Sequence, residues 1–237
     1  MTQENTVLMQ DRQHAPVELK IDWCSHEAAR YACLNWHYSK SVPAGKLVKI
    51  GAWENGQFIG CVIFSRGVTK DIASPYNMTQ TEVCELTRVA LTKHISPVTQ
   101  ILAKAIKMLK RHNPGLKLIV SYADCDQEHK GVIYQACNWI YEGHIQVRGA
   151  IMILGRKRHA RSIHSKYGTG DIQWLKDNVD PETAIVPTAG RHKYLYPLDR
   201  QTAKEIQPLS KPYPSKSKGG ESPRISGVRD GENGETV

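Results

Sequence analysis

Leu47–Gly67 reads LVKIGAWENGQFIGCVIFSRG. Two apolar, β-rich runs flank Asn55-Gly56, the dipeptide best able to supply the two left-handed residues of a tight hairpin turn. An antiparallel strand pair is therefore the first element the chain declares. Ahead of it, HYSKSVPAGK is a polar loop broken by Pro43 and Gly45. Before that, SHEAARYACLNW predicts a helix: Ser25 can cap it, and Ala28, Ala29, Ala32 and Cys33 are small and apolar. VELKIDW alternates and predicts a first strand.

Downstream of the hairpin, EVCELTRVALT alternates as a strand. SPVTQILAKAIKMLKRHNPG then predicts a helix with Ser96 as N-cap, Pro97 at the first helical position, and Asn113-Pro114-Gly115 as its stop. Val98, Ile101, Leu102, Ala105, Met108 and Leu109 form its apolar stripe. LKLIVSYAD is almost continuously apolar, as in a strand covered on both faces. HKGVIYQACNWI predicts another helix, and YEGH and AIMILGR predict closing strands. This order predicts an α/β fold: a mixed sheet flanked by helices, in one domain over residues 17–166. Residues 1–16 read as a loose leader. Residues 167–206 keep Trp174, Tyr194 and Tyr196 and read as an extension packing on the domain, with TAGRHKYLYPLD as a docking strand or clip. Residues 207–237 are rich in Pro, Gly, Ser and charge, and predict a disordered, flexible C-terminal tail.

Composition narrows the partner. The 237 residues carry a formal charge of +9, which favours a polyanion. The charge is clustered. Residues 93–117 hold six Lys/Arg and no acid, and residues 156–166 hold five Lys/Arg, two His and no acid. Five Trp and ten Tyr against two Phe favour wet grooves over a dry core. Six cysteines without a CxxC pair, no apolar leader and no membrane-length apolar run predict a cytoplasmic protein with reduced thiols. Cys84, Cys125 and Cys137 sit in apolar patterns and read as inert core thiols. No GxGxxG or GxxxxGK[ST] occurs, which argues against nucleotide-dependent kinase or dehydrogenase chemistry, and no GxSxG occurs either.

Four polar clusters interrupt the apolar pattern. NWHYS holds Trp36, His37 and Tyr38; ELTR holds Glu85 and Arg88. SYAD holds Ser121, Tyr122 and Asp124, followed by Asp126 and His129. The fourth is the basic run with Arg156, Lys157, Arg158, Arg161 and Lys166. Asp124 ends a strand, where ligands bind in α/β sheets, or else it caps the element that follows. Glu85 is either a solvated strand residue or an acid/base group facing a cleft. His37, Asp124 and His129 could form a two-His, one-carboxylate metal site, although no ligand spacing supports it.

NWHYSKSVP, GAWENGQFIGCVIFSRG, ELTRVALTKHISPVTQILAKAIKMLK and IVSYADCDQEHKGVIYQACNWIYEG together resemble the bacteriophage Mom DNA-modification family over about residues 30–170. The resemblance implies a GNAT-acyltransferase-like fold. It also implies conversion of adenine N6 in double-stranded phage DNA to a carbamoylmethyl (acetamido) form that blocks host restriction, in the host cytoplasm. Carried over by motif, the catalytic candidates are His37, Tyr38, Glu85, Ser121, Tyr122 and Asp124. Arg88, Lys93, His94 and Ser96 are the donor-binding candidates. Trp36 with Arg156, Lys157, Arg158, Arg161 and Lys166 would meet DNA. The donor is left open between an acyl-CoA type and an aminoacyl type. Fe(II) is a cofactor option, and a homodimer is an assembly option. The turn RVALTKHISPVTQ lacks the glycine of a pyrophosphate-binding turn. Two other readings stay open: a basic DNA-binding protein on an inactive GNAT-like frame, and an N-acyltransferase acting on another amine.

Overall fold

The computed structural model describes residues 17–66, 71–146, 149–158 and 160–214. The expected leader and residues 215–237 of the expected tail lie outside them.

β1 (Leu19–Trp23) leads into α1 (His26–Trp36), whose N-cap Ser25 accepts the Ala28 N–H at 3.1 Å. β2 (Leu47–Glu54) and β3 (Gln57–Ser65) form the expected hairpin. Asn55 (φ +48°) and Gly56 (φ +81°) make its turn in the left-handed region. β4 (Val83–Leu91) and α2 (Val98–His112) follow, then β5 (Leu118–Asp124), the short α3 (Val132–Ala136) and β6 (Ile140–Ile145). β7 (Ala150–Ile153), β8 (Arg156–Arg158), α4 (Ala160–Tyr167), α5 (Ile172–Asn178) and β9 (Ala184–Val186) come next. β10 (Arg191–Pro197) and α6 (Arg200–Ile206) close the chain.

Seven strands form one mixed sheet in the order β1-β2-β3-β4-β5-β10-β6. Every neighbouring pair is antiparallel except β4 and β5. Both faces are covered, which is why β3 is apolar almost throughout. Val62 and Phe64 pack with Ile101, Leu102 and Ala105 of α2, while Cys61 and Ile63 pack with Ala29, Ala32 and Cys33 of α1. Below β4 and β5, Val83, Leu118 and Val120 meet Leu195 and Ile206. The frame is the mixed α/β, GNAT-like sheet that the resemblance implies. No disulfide forms, and no helix among the described residues is long and apolar enough to cross a membrane.

Three expectations are corrected. The boundary at 166 does not separate domain from extension, because β10 lies inside the sheet between β5 and β6. The helix expected over HKGVIYQACNWI shrinks to Val132–Ala136, bounded by left-handed Gly131 (φ +71°) and Asn138 (φ +56°). α2 begins at Val98 with Pro97 as its cap, not Ser96, because the Ile95 and Ser96 amides bind Glu54. One unit was not anticipated. β7, β8 and β9 form a second, three-stranded sheet with its own small core of Ile151, Ile153, Ile163 and Leu175.

Candidate active site

β4 and β5 run parallel only from Val83–Leu86 against Leu118–Ser121. Beyond that register they part, and a cleft of about 930 Å³ opens between them. Thr87, Arg88 and Val89 line it from β4, and Tyr122 and Ala123 from β5. Trp36, His37 and Tyr38 close it from the end of α1, His129 and Gly131 from the turn leading into α3, and Tyr134 from α3 itself. Gly131 is required there: a Cβ would stand 2.3 Å from the Tyr194 ring.

His37 and Tyr38 stack with ring centroids 4.3 Å apart, and Tyr38 meets His129 edge-on at 4.9 Å. His37 is buried, and its Nδ1 accepts the Ser39 N–H at 3.1 Å. Nε2 therefore carries the proton of the neutral ring. Burial, then the Arg88 and His129 charges, lower its pKa to about 4. At neutral pH His37 is thus an N–H donor in the cleft, not a base. Tyr38 is half exposed; burial of its hydroxyl and the Asp124 charge raise its pKa. Burial, followed by Glu85 and Glu142, pushes Tyr122 up to about 12, and burial pushes Tyr134 to about 12. All three phenols stay protonated.

Arg88 binds the Thr87 carbonyl at 2.7 Å and, at a long 3.5 Å, that of Ser41. No carboxylate pairs with it among the described residues. Its charge is therefore available to an anion in the cleft.

Of the sequence candidates, Trp36, His37, Tyr38, Arg88, Tyr122 and His129 line the cleft. Glu85 is buried and does not line it. Ser121 is fully buried, 2.8 Å from both the Leu86 carbonyl and the Tyr134 hydroxyl, so it holds the sheet to α3 and is closed to substrate. Asp124 is half-buried at the end of β5, between the lining residues Ala123 and Cys125, and its Oδ1 accepts the Asp126 N–H at 3.1 Å. It is therefore the cap that one reading anticipated, and it is also close enough to raise the Tyr38 pKa.

Lys93, His94 and Ser96 do not line the cleft; they lie in the turn before α2. The backbone donors there are already used. The Glu54 carboxylate accepts from Ile95 N at 2.9 Å and Ser96 N at 2.5 Å. Burial opposes its charge, but these donors outweigh burial and hold the carboxyl below its ordinary range. An acyl-CoA diphosphate does not fit this turn while Glu54 fills it. The Fe(II) set fits no better, since among the described residues no three His, Cys, Asp or Glu side chains are grouped to hold a metal.

Arg156, Lys157 and Arg158 are exposed on β8, with Lys157 paired to Asp126 at 3.0 Å. Lys166 is exposed and lies over the Tyr167 ring. The Arg161 side chain falls outside the described residues. Sequence reasoning passed over Thr87, Tyr134, His192 and Cys125 as cleft residues. Tyr134 lies within a stretch whose sequence signals only a helix, and His192 arrives on a distant strand. Cys125, a core thiol by its sequence pattern, is instead half-buried at the cleft wall, and burial raises its pKa.

A splayed parallel pair with a polar, aromatic cleft at its opening defines a transferase-like protein on a GNAT-like frame. The chain belongs to the Mom protein family, whose model matches residues 18–215. Comparison with the curated proteins gives no match. Among solved structures, an acetyltransferase candidate from Acinetobacter baylyi is similar at 13% identity and TM-score 0.45, over 77% of this chain and 93% of that one. A variant spermidine N-acetyltransferase from Vibrio cholerae is similar at 9% identity and TM-score 0.45, over 79% and 96%. An IAA acetyltransferase from Bacillus cereus is similar at 12% identity and TM-score 0.40, over 76% and 100%. None of these activities transfers to this chain at such scores.

Proposed function

We propose that the chain is a DNA-modifying transferase that places a carbamoylmethyl group on the N6 amine of adenine in duplex DNA, which then resists host restriction. Membership of the Mom family supports a DNA substrate. The observation that carries the reading is the cleft itself. It has room for a nucleobase and a donor fragment, a half-exposed Tyr38 between two imidazoles, and an Arg88 without a carboxylate partner among the described residues.

Adenine N6 is paired inside a duplex, so the base must leave the stack to react. Tyr38 and Trp36 offer aromatic faces to the extruded base. Arg88 holds an anionic part of the donor, and His37 Nε2–H donates to its carbonyl oxygen. The N6 lone pair is delocalised into the ring, so attack needs a proton acceptor as the bond forms. Asp124, next to Tyr38, takes that role. The N6–CH₂ bond forms and one N6 proton passes to Asp124. The bond from that CH₂ to the leaving group of the donor breaks as the new bond forms, and its electron pair leaves with that group.

Intact-nucleoside mass spectrometry of DNA from cells making the protein tests this reading. A new adenine nucleoside is expected, and its absence alongside soluble protein overturns the proposal. Glu54 in the turn before α2 favours a second reading, a DNA-binding protein on an inactive frame. That reading expects duplex binding with no adduct, so the same cells separate the two.

A further inference from the structure

Two β-hairpins among the described residues share a turn but not a sequence. Between β2 and β3, Asn55 and Gly56 take φ +48° and +81°. Between β7 and β8, Leu154 and Gly155 take φ +51° and +66°. The first central residue of such a turn is left-handed, a conformation that suits Asn, Asp or Gly and strains a leucine. Leu154 is also 58% exposed, so packing does not repay that strain. A strained residue whose side chain stands mostly in solvent points to a role outside the fold.

The surroundings of Leu154 say what it meets. A Cβ on Gly155 would have nothing within 4 Å, so the tip stands clear of the molecule. Arg156, Lys157 and Arg158 follow directly and are exposed. The tip is also held in place: the Leu154 N–H donates to Asp180 at 2.5 Å, and Ile151 and Ile153 anchor β7 in the small core. Lys157 pairs with Asp126, whose carboxylate also takes the Ala189 N–H at 3.1 Å. Asp126 adjoins Cys125 in the cleft wall, and Leu154, in the turn three residues before Lys157, lies at most about 10 Å from it. The hairpin therefore rises beside the cleft.

We propose that Leu154 is a wedge that enters the base stack of duplex DNA beside the target adenine, while Arg156 and Arg158 hold the flanking phosphates. Apolar side chains inserted between base steps unstack them, which a base-extruding enzyme needs. This inference rests on the function proposed above.

The test uses the full-length protein with Leu154→Asn and Leu154→Ala, on a duplex carrying 2-aminopurine at adenine positions. Asn accepts the left-handed backbone, so Leu154→Asn should melt no lower than the parent. With the duplex saturated, as read by anisotropy, the parent protein should raise 2-aminopurine fluorescence. Both variants should lose at least ~5-fold of that rise, and in expressing cells the modified adenine should fall at least ~10-fold. Variants that match the parent in both readouts overturn the wedge and leave the transferase reading standing. A Leu154→Asn protein that fails to fold assigns Leu154 to structure and also overturns it. A parent protein that neither binds duplex nor changes adenine removes both proposals together.

Discussion

Asp124 caps a turn in the fold, and under the proposed function it is also the proton acceptor. One carboxylate oxygen caps the turn over Cys125–Gln127 by accepting the Asp126 N–H. The same group lies close enough to Tyr38 to raise its pKa. Asp124→Asn separates the two roles, because Asn caps nearly as well as Asp but cannot take a proton. The variant should melt like the parent and bind DNA, yet its adenine modification should fall by at least ~100-fold. Near-parental modification would assign Asp124 to structure alone. His37 makes a different prediction, about pH. Its folded pKa is about 4 against 6.5 for the free side chain, chiefly through burial and then the Arg88 charge. Between those values the unfolded chain takes up a proton that the folded chain refuses. The His37 contribution to stability is therefore complete above pH 6.5 and drains away as pH falls towards 4. His37→Asn should flatten that decline by up to about 3 kcal/mol. Melting curves of both proteins from pH 7 to 4 check it, and parallel curves would refute a buried, neutral His37. His192, also held low by burial, acts equally in both proteins and cancels.

Among the elements, α2 shows how a side chain far off in sequence can decide a site. Glu54 ends β2, yet its carboxylate satisfies the free amides of Ile95 and Ser96 ahead of the helix. Glu54→Ala would leave those two donors without an acceptor and remove a negative charge from the helix N-terminus. It should cost about 2 kcal/mol in urea unfolding, and Glu54→Gln should cost less. A change below about 0.5 kcal/mol would mean that water replaces the carboxylate without loss. Sequence reading could not find this contact, because it sees the turn's missing glycine but not what takes the vacated place. The same limit runs through the fold. The β2–β3 hairpin, α1 and the stripe of α2 were legible because local turn, cap and periodicity signals specify them. β10 was legible only as a docking strand, since its place between β5 and β6 is set by pairing across dozens of residues. The β7–β8–β9 unit was missed: β8 is three charged residues long, and a Leu-Gly turn is not a hairpin cue. In the site, His37, Tyr38, Arg88, Tyr122 and His129 were legible as polar intrusions into apolar runs. Ser121 misled for the same reason, because an internal hydroxyl bond inside the sheet leaves an identical trace in sequence.

At the scale of the whole molecule, the +9 charge is not spread evenly over available groups. Three of the six cations in residues 93–117 are tied to protein oxygens. Lys104 donates to the Leu19 carbonyl, Lys110 to those of Pro114 and Leu116, and Lys117 pairs with Glu82 at 2.6 Å. On β8, by contrast, Arg156 and Arg158 are exposed, and no carboxylate pairs with them among the described residues. Each cation that neutralises a DNA phosphate steepens the fall of log K with log salt by roughly 0.9. Replacing Arg156 and Arg158 with Ala should therefore flatten the salt slope of duplex binding by about 2 and weaken all sequences alike. Adding Lys157→Ala should change the slope by less than a full further unit, because its ammonium is shared with Asp126. Lys107→Ala with Arg111→Ala, on the exposed face of α2, gives the comparison. If DNA lies across the β7–β8 hairpin and the cleft, that pair should move the slope less than the β8 pair does. Fluorescence anisotropy on one duplex between 50 and 300 mM salt measures all of these slopes. A larger effect from α2 than from β8 would put the duplex on another face of the sheet, and with it the cleft would lose its access to an extruded adenine.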